Sequence, residues 1–302
     1  MTASSAQPVG LPFLKGHGTQ NDFVIIPDPD GRLTLGPEAV AALCDRRAGI
    51  GGDGLLRVVR SAADPAAADQ ADRAEWFMDY RNADGSIAEM CGNGVRVFAR
   101  YLIEAGLAKP GELAVATRAG VRTVRVAEDA EDGTPGQVTV DMGRAVLPGP
   151  DGIEVTVGER SWPALNVNMG NPHAVAFVAS LDHAGNLWEA PLTSPATAYP
   201  EGVNVEFVVE RGPRHVAMRV FERGSGETRS CGTGTCAVAV AAARRDGVDP
   251  TVTGEPVTYT VDVPGGRLLL TVHPDGRVEK TGPAVIVARG ELDPRWLAAL
   301  TG

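Results

Sequence analysis

The chain has 302 residues, 43% of them hydrophobic and 22% charged, with a formal net charge of -10. That length and composition fit a water-soluble globular protein of two domains and exclude the disordered and fibrous classes. With no basic cluster carrying interleaved aromatics, the negative charge speaks against nucleic acid or an anionic membrane surface as partner and suits a small zwitterionic substrate.

The segment from Met1 to Gly10 lacks a basic stretch followed by an apolar core, and no apolar run approaches the roughly 20 residues that span a bilayer. A cytoplasmic location is expected. The cysteines, Cys44, Cys91, Cys231 and Cys236, are too few and too scattered for a disulfide framework, and no Cys-x-x-Cys or His-x-x-x-His pair accompanies them, so no metal is expected. Lysine is confined to Lys15, Lys109 and Lys280. None of the three looks placed for a pyridoxal Schiff base, and no cofactor is expected.

In chain order, strand-like runs occupy Phe23 to Ile26, Leu55 to Val59 and Trp76 to Tyr80, with an amphipathic helix from about Pro37 to Arg46 between the first two. Ser61 to Arg73, rich in Ala and Asp, reads as a surface loop without chemistry. Val95, Phe98, Leu102 and Ala105 recur at helical spacing with Gly106 as a stop, which puts a helix of about four turns directly after Cys91. Strands at Leu113 to Thr117, Val121 to Val126 and Gln137 to Met142, separated by tight turns, predict antiparallel sheet.

The stretch Leu147-Pro148-Gly149-Pro150-Asp151-Gly152 is the best boundary between two halves, residues 1–147 and 148–283. Beyond it the pattern begins again, with strands at Ala164 to Asn168, Ala174 to Val178, Val205 to Val209 and Val216 to Phe221 leading to Cys231. The run that opens at Cys236 is apolar all round and predicts a buried helix. Placing Cys231 over Cys91 also superposes Met218 on Met78, Glu222 on Asn82, and Gly232 and Gly234 on Gly92 and Gly94. Each half reads strand, polar turn, Cys-Gly-x-Gly, helix, which argues for an internal duplication with the site between pseudo-symmetric halves.

A cysteine is a base only as thiolate, and free amides at a helix N-terminus favour that charge. The glycines leave backbone N–H groups open to an anion such as a substrate carboxylate. Two such thiols suit a reaction that removes a proton from one face of a carbon and returns one on the other, a racemisation or epimerisation. Its carbanion-like transition state needs donors aimed at the carboxylate and exclusion of water. Cys44 and Cys236 lie in apolar helical patterns and read as core residues. His17 and His173 are lone histidines for which a structural hydrogen bond is at least as good a reading as catalysis.

The residues Gly18-Thr-Gln-Asn21-Asp22-Phe23, Asn82-Ala-Asp-Gly85-Ser86, Met90-Cys91-Gly92-Asn93-Gly94, Gly170-Asn171-Pro172-His173 and Glu222-Arg223-Gly224-Ser-Gly-Glu227-Thr-Arg-Ser-Cys231-Gly232-Thr233-Gly234 make the chain resemble the diaminopimelate epimerases. The resemblance implies interconversion of LL- and meso-diaminopimelate, toward lysine and peptidoglycan precursors, with Cys91 and Cys231 as acid and base and neither pyridoxal phosphate nor metal. It implies substrate binding by Asn21, Asn82, Asn171, Asn204, Glu222 and Arg223. Gly92-Asn93 and Gly232-Thr233 would give backbone donors, and His173 and Glu227 would support the thiols. Asn82 and Asn171 serve a turn equally well. The implied fold is α/β (α+β): two pseudo-symmetric domains, each a mixed or antiparallel sheet curled around a central helix, with the segment 284–302 returning to the first. A homodimer is implied as well.

The sequence departs from the family pattern at Gln20, where a glycine often stands, at Gly54, where some members carry a substrate-contacting glutamine, and in the enlarged loop from Ser61 to Arg73. The rival readings are a proline or hydroxyproline racemase and, from another class, a redox-sensing thiol protein. The first typically has histidine at the Asn93 position and a different approach to the second cysteine.

Overall fold

The computed structural model describes residues 10–149 and 152–301. The start of the chain, together with Pro150 and Asp151 of the Pro/Gly stretch, lies outside the described residues. The chain forms two compact units: Met1–Gly18, Asp22–Thr123 and Ala284–Gly302 make the first, Thr19–Asn21 and Val124–Pro283 the second.

The first unit opens with β1 (Leu11–Gly18) and β2 (Asn21–Pro27), followed by α1 (Pro37–Cys44), β3 (Gly54–Arg60) and β4 (Trp76–Asn82). After them come α2 (Gly92–Glu104) and β5 (Gly111–Ala116), and β6 (Arg122–Val126) carries the chain into the second unit. Strand β2 runs parallel to β3, β3 antiparallel to β4, and β4 parallel to β5. Proline at the start of α1 costs no hydrogen bond. The helix ends at Cys44, short of the predicted Arg46, because Asp45 turns out to accept from the Arg47 and Ala48 amides at 2.7 and 2.6 Å. Helix α2 is buried along most of its length, Arg96 and Arg100 included.

The second unit holds β7 (Val138–Arg144), β8 (Ile153–Val157), β9 (Arg160–Asn168), β10 (Pro172–Phe177), β11 (Leu192–Ser194), β12 (Asn204–Gly212), β13 (His215–Glu222) and the short β14 (Gly226–Glu227). Helices α3 (Gly232–Arg245) and α4 (Pro250–Thr253) precede β15 (Val257–Val263), β16 (Gly266–Val272) and β17 (Arg277–Gly282). Strand β10 is parallel to β12, β12 antiparallel to β13, and β13 parallel to β15, the same sequence of senses as β2 to β5. Met78 faces Val58 across β3 and β4, and Met218 faces Val208 across β12 and β13, so the repeat seen in the sequence holds in strand register. Burial along β15 alternates, inward at Val257, Tyr259, Val261 and Val263, as a one-sided strand requires. Strand β18 (Val285–Leu292) then pairs with β1, and α5 (Pro294–Thr301) ends the chain in the first unit.

The fold is a mixed α/β architecture dominated by sheet. The compact units meet at Thr123/Val124, and Val124 and Val126 pair with β7, which pairs with β17. The segment Ser61 to Arg73 is also more than a bare loop. It forms two short 3-10 turns with Ser61, Ala67 and Gln70 buried, and Asp64 pairs with Arg57 at 2.9 Å.

Candidate active site

In the first unit Cys91 is the N-cap of α2. Its backbone is extended (φ -136°, ψ 115°), and its Sγ accepts from the Gly94 amide at 3.4 Å. A sulfur in that place sits at the positive end of the helix. Asn93 is fully buried and its Oδ1 accepts from Arg96 Nη1 at 2.9 Å, so its main chain, not its side chain, is what the helix start has to give. Asn82 closes β4 in a turn, taking the Gly85 amide on its carbonyl and donating Nδ2 to Ser86 Oγ at 2.9 Å. Asn21, which with Thr19 and Gln20 belongs to the second unit, begins β2, and Thr19 and Gln20 both have positive φ (52° and 61°). That backbone explains why glycine suits position 20.

In the second unit Cys231 is the N-cap of α3, with Sγ accepting from the Gly234 amide at 3.3 Å and lying 3.7 Å from Thr233 Oγ1. Glu222, at the end of β13, accepts a hydrogen bond from Thr228 Oγ1. Burial raises its carboxyl, with the charge of Glu206 adding to the effect and Thr228, Cys231 and His173 opposing it. Asn204 spends both ends of its amide on backbone, donating to Pro172 O and accepting from the Arg223 amide at 2.9 Å each. His173 is fully buried, with Nδ1 2.6 Å from Glu206 Oε1 and Nε2 3.1 Å from Asn171 Oδ1.

Burial first, then the carboxylates of Glu222 and Glu206, push the Cys231 thiol well above its ordinary value, while the Gly234 amide and the Thr233 hydroxyl pull the other way. The sequence alone predicts a lowered value at both helix starts. At Cys231 desolvation and two like charges outweigh the helix terminus. Cys44 is a core residue beside Val40 and Leu43, pushed up to about 11 by burial, and Cys236 is buried with its thiol donating to Gly232 O at 3.5 Å.

The sequence signature described as diaminopimelate epimerase matches residues 13–148 and 165–287. A protein named diaminopimelate epimerase from Streptomyces coelicolor is 72% identical over 95% of this chain and 97% of its own. The chain belongs to the diaminopimelate epimerase family. Among solved structures, a phenazine biosynthesis protein of the PhzF family from Bacillus anthracis matches with a TM-score of 0.68 at 18% identity, covering 93% of this chain and 98% of that one. A hydroxyproline epimerase from Agrobacterium vitis matches with a TM-score of 0.65 at 16% identity, covering 95% and 94%. At such identities the likeness shows the shared fold.

Within this member of the diaminopimelate epimerase family, the second unit gathers Asn171, His173, Asn204, Glu222, Thr233 and Cys231 around the start of α3, through β10, β12 and β13. Glu227 is drawn elsewhere: both its oxygens take Arg219, at 2.6 and 2.8 Å. Arg223 is more exposed than Glu222 and donates to Glu201 O at 3.3 Å. His17 lies on β1 in register with Val285, its imidazole pushed down by burial against the pull of Asp22. Sequence reasoning missed Glu206, whose signal is a carboxylate inside the otherwise apolar strand Val205-Glu206-Phe207-Val208. Among the described residues no group of three or more His, Cys, Asp or Glu is placed to hold a metal ion, and no helix is long and apolar enough to cross a membrane.

Proposed function

We propose that the chain interconverts LL- and meso-2,6-diaminopimelate by a two-thiol proton transfer that needs neither pyridoxal phosphate nor metal, in the supply of lysine and peptidoglycan precursors. Family membership supports the substrate. The observation that carries the chemistry is the matched pair of N-cap cysteines, each with Sγ on the amide three residues ahead and each followed by glycine-rich turns.

One thiolate takes the α-proton from one face of the carbon while the other thiol delivers its proton to the opposite face, which inverts the centre. The charge that develops on the substrate carboxylate is met by the amides of Gly92-Asn93 and Gly232-Thr233 at two positive helix ends. Burial and the carboxylates of Glu222 and Glu206 favour the protonated form of Cys231. A turnover exchanges the two states, and the reverse reaction restores them. Asn21, Asn82, Asn171, Asn204, Glu222 and Arg223 give the donors and acceptors for the ammonium and carboxylate groups at both ends of the substrate, those of Asn82 and Asn204 by way of the turns they hold. We infer a cytoplasmic homodimer for the same protein, on the family resemblance, with light scattering on the eluting protein as its check.

The test is turnover of LL-diaminopimelate by Cys91→Ala and by Cys231→Ala. Each substitution alone is expected to lower kcat by at least about 10²–10⁴-fold, the usual share of acid–base catalysis, with the far-UV spectrum unchanged. Full activity in either variant, or exchange of the α-proton of proline but not of diaminopimelate by the unmodified protein, would overturn the reading.

A further inference from the structure

Glu206 is a carboxylate with no exposure to solvent, set on β12 among Val205, Phe207 and Val208. One of its oxygens lies 2.6 Å from His173 Nδ1, and its other oxygen, Oε2, is buried without a hydrogen-bond partner. A buried charge with half its acceptors idle is costly, typically by a few kcal/mol, and packing alone gives no reason to keep it. Its surroundings supply one. A Cβ placed on Gly234 would stand 2.6 Å from Glu206 Oε1 and 3.1 Å from Cys231 Sγ, so carboxylate and sulfur flank the same glycine at the start of α3.

We propose that Glu206 is a positioning residue for the proton transfer: it fixes the His173 imidazole with Nδ1 protonated and, by its negative charge beside the sulfur, holds Cys231 as the proton donor. The inference rests on Cys231 being one of the two proton carriers. Glycine at position 234 is what lets the carboxylate approach, since any side chain there would displace it. The groups facing Glu206 are His173 from β10, Tyr199 from the segment ahead of β12, Glu222 from β13, and Cys231. Burial and the Glu206 charge push the Tyr199 phenol up to about 12, so it stays neutral beside the carboxylate. Cys231 faces Glu222 from β13 and the Thr233 hydroxyl in its own turn. Glu222 and Glu206 both reach the imidazole and the sulfur, and Glu206 does so with no exposure to solvent.

The experiment is the pH profile of Cys231 alkylation by iodoacetamide, read by mass spectrometry of the Cys231 peptide in the intact protein, with Glu206→Gln and Glu206→Asp beside the unmodified chain. Glu206→Gln keeps the volume and removes the charge. Its Cys231 profile is expected to move to lower pH by roughly one pH unit or more, the scale of one close like charge. Its kcat is expected to fall about tenfold or more with KM little changed. Glu206→Asp keeps the charge, so its alkylation profile is expected to stay near that of the unmodified protein while kcat falls. A folded Glu206→Gln protein with an unmoved Cys231 profile overturns the proposal, whatever its turnover. Because alkylation does not depend on diaminopimelate, that failure is separate from a failure of the assigned reaction. Should Glu206→Gln not fold, imidazole nitrogen shifts of His173 in the unmodified protein decide: Nδ1 protonated through neutral pH supports the proposal, and a bare Nδ1 overturns it.

Discussion

Thr19 and Ser230, 211 residues apart in sequence, share a buried hydrogen bond of 2.7 Å between their hydroxyls. It ties the positive-φ turn that leads into Asn21 to the residue immediately before Cys231. Arg229 reinforces the link by donating to the Gln20 side chain and, at 3.0 Å, to Pro264 O. Two positive-φ residues that are not glycine cost about 1 kcal/mol or more each, so the turn persists because these contacts hold it.

Ser230→Ala removes this hydrogen bond from the Thr19 hydroxyl, which is 1% exposed. The expected loss is about 1–3 kcal/mol of stability, with a fall in kcat as the approach to Cys231 loosens. Urea unfolding measures the first and turnover the second. Unchanged values in both would show that the bond holds nothing in place.

Gly54 takes a position at which the family resemblance leads to the expectation of a glutamine, and the structure shows what a side chain there would meet. A Cβ at this position would lie 2.5 Å from Arg81 O and 2.7 Å from the Tyr80 ring. Gly54→Gln is therefore expected to destabilise the protein by about 1–3 kcal/mol and to leave kcat no higher. Thermal unfolding is the check, and a variant as stable as the parent would contradict this account of the position.

Arg57 is buried among Asp28, Asp64 and Asp79, at 2.8, 2.9 and 3.1 Å, and Asp79 also takes Arg81 and Arg118, at 2.8 and 2.6 Å. Burial pushes the Asp79 carboxyl up, but the Arg81 and Arg118 guanidiniums win and hold it below the usual range. A carboxylate with a depressed folded-state value stabilises the protein above its unfolded value, about 3.9, and loses that contribution as pH falls through the folded one. Asp79→Asn is expected to cost about 3–5 kcal/mol at neutral pH, because it leaves buried guanidiniums short of charge. The gap between variant and parent should narrow in urea titrations below about pH 4. A gap that does not change with pH would contradict the role given to the charge.

The features that were legible in the sequence are those set by near neighbours. Each Cys-Gly-x-Gly fixes an N-cap thiol and an open turn whatever surrounds it, and the apolar run from Cys236 does become a buried helix. What escaped depends on long-range pairing. The Pro/Gly stretch looks like a boundary locally, and nothing within it signals that β7 ahead of it pairs with β17. The lowered thiol expected at Cys231 follows from its own helix, whereas Glu206 and Glu222 reach it only through the β12–β13 pairing.

The most direct test of the two-thiol account is the early reaction of LL-diaminopimelate in deuterium oxide, with each diastereomer recovered and its α-deuterium counted. The account predicts that the first meso product carries solvent deuterium at the inverted carbon while the remaining LL substrate is still protiated, because one thiol removes the proton and the other delivers its replacement. Meso product that retains the original proton, or LL substrate that gains deuterium as fast as product forms, would mean that a single base serves both faces and would contradict the account.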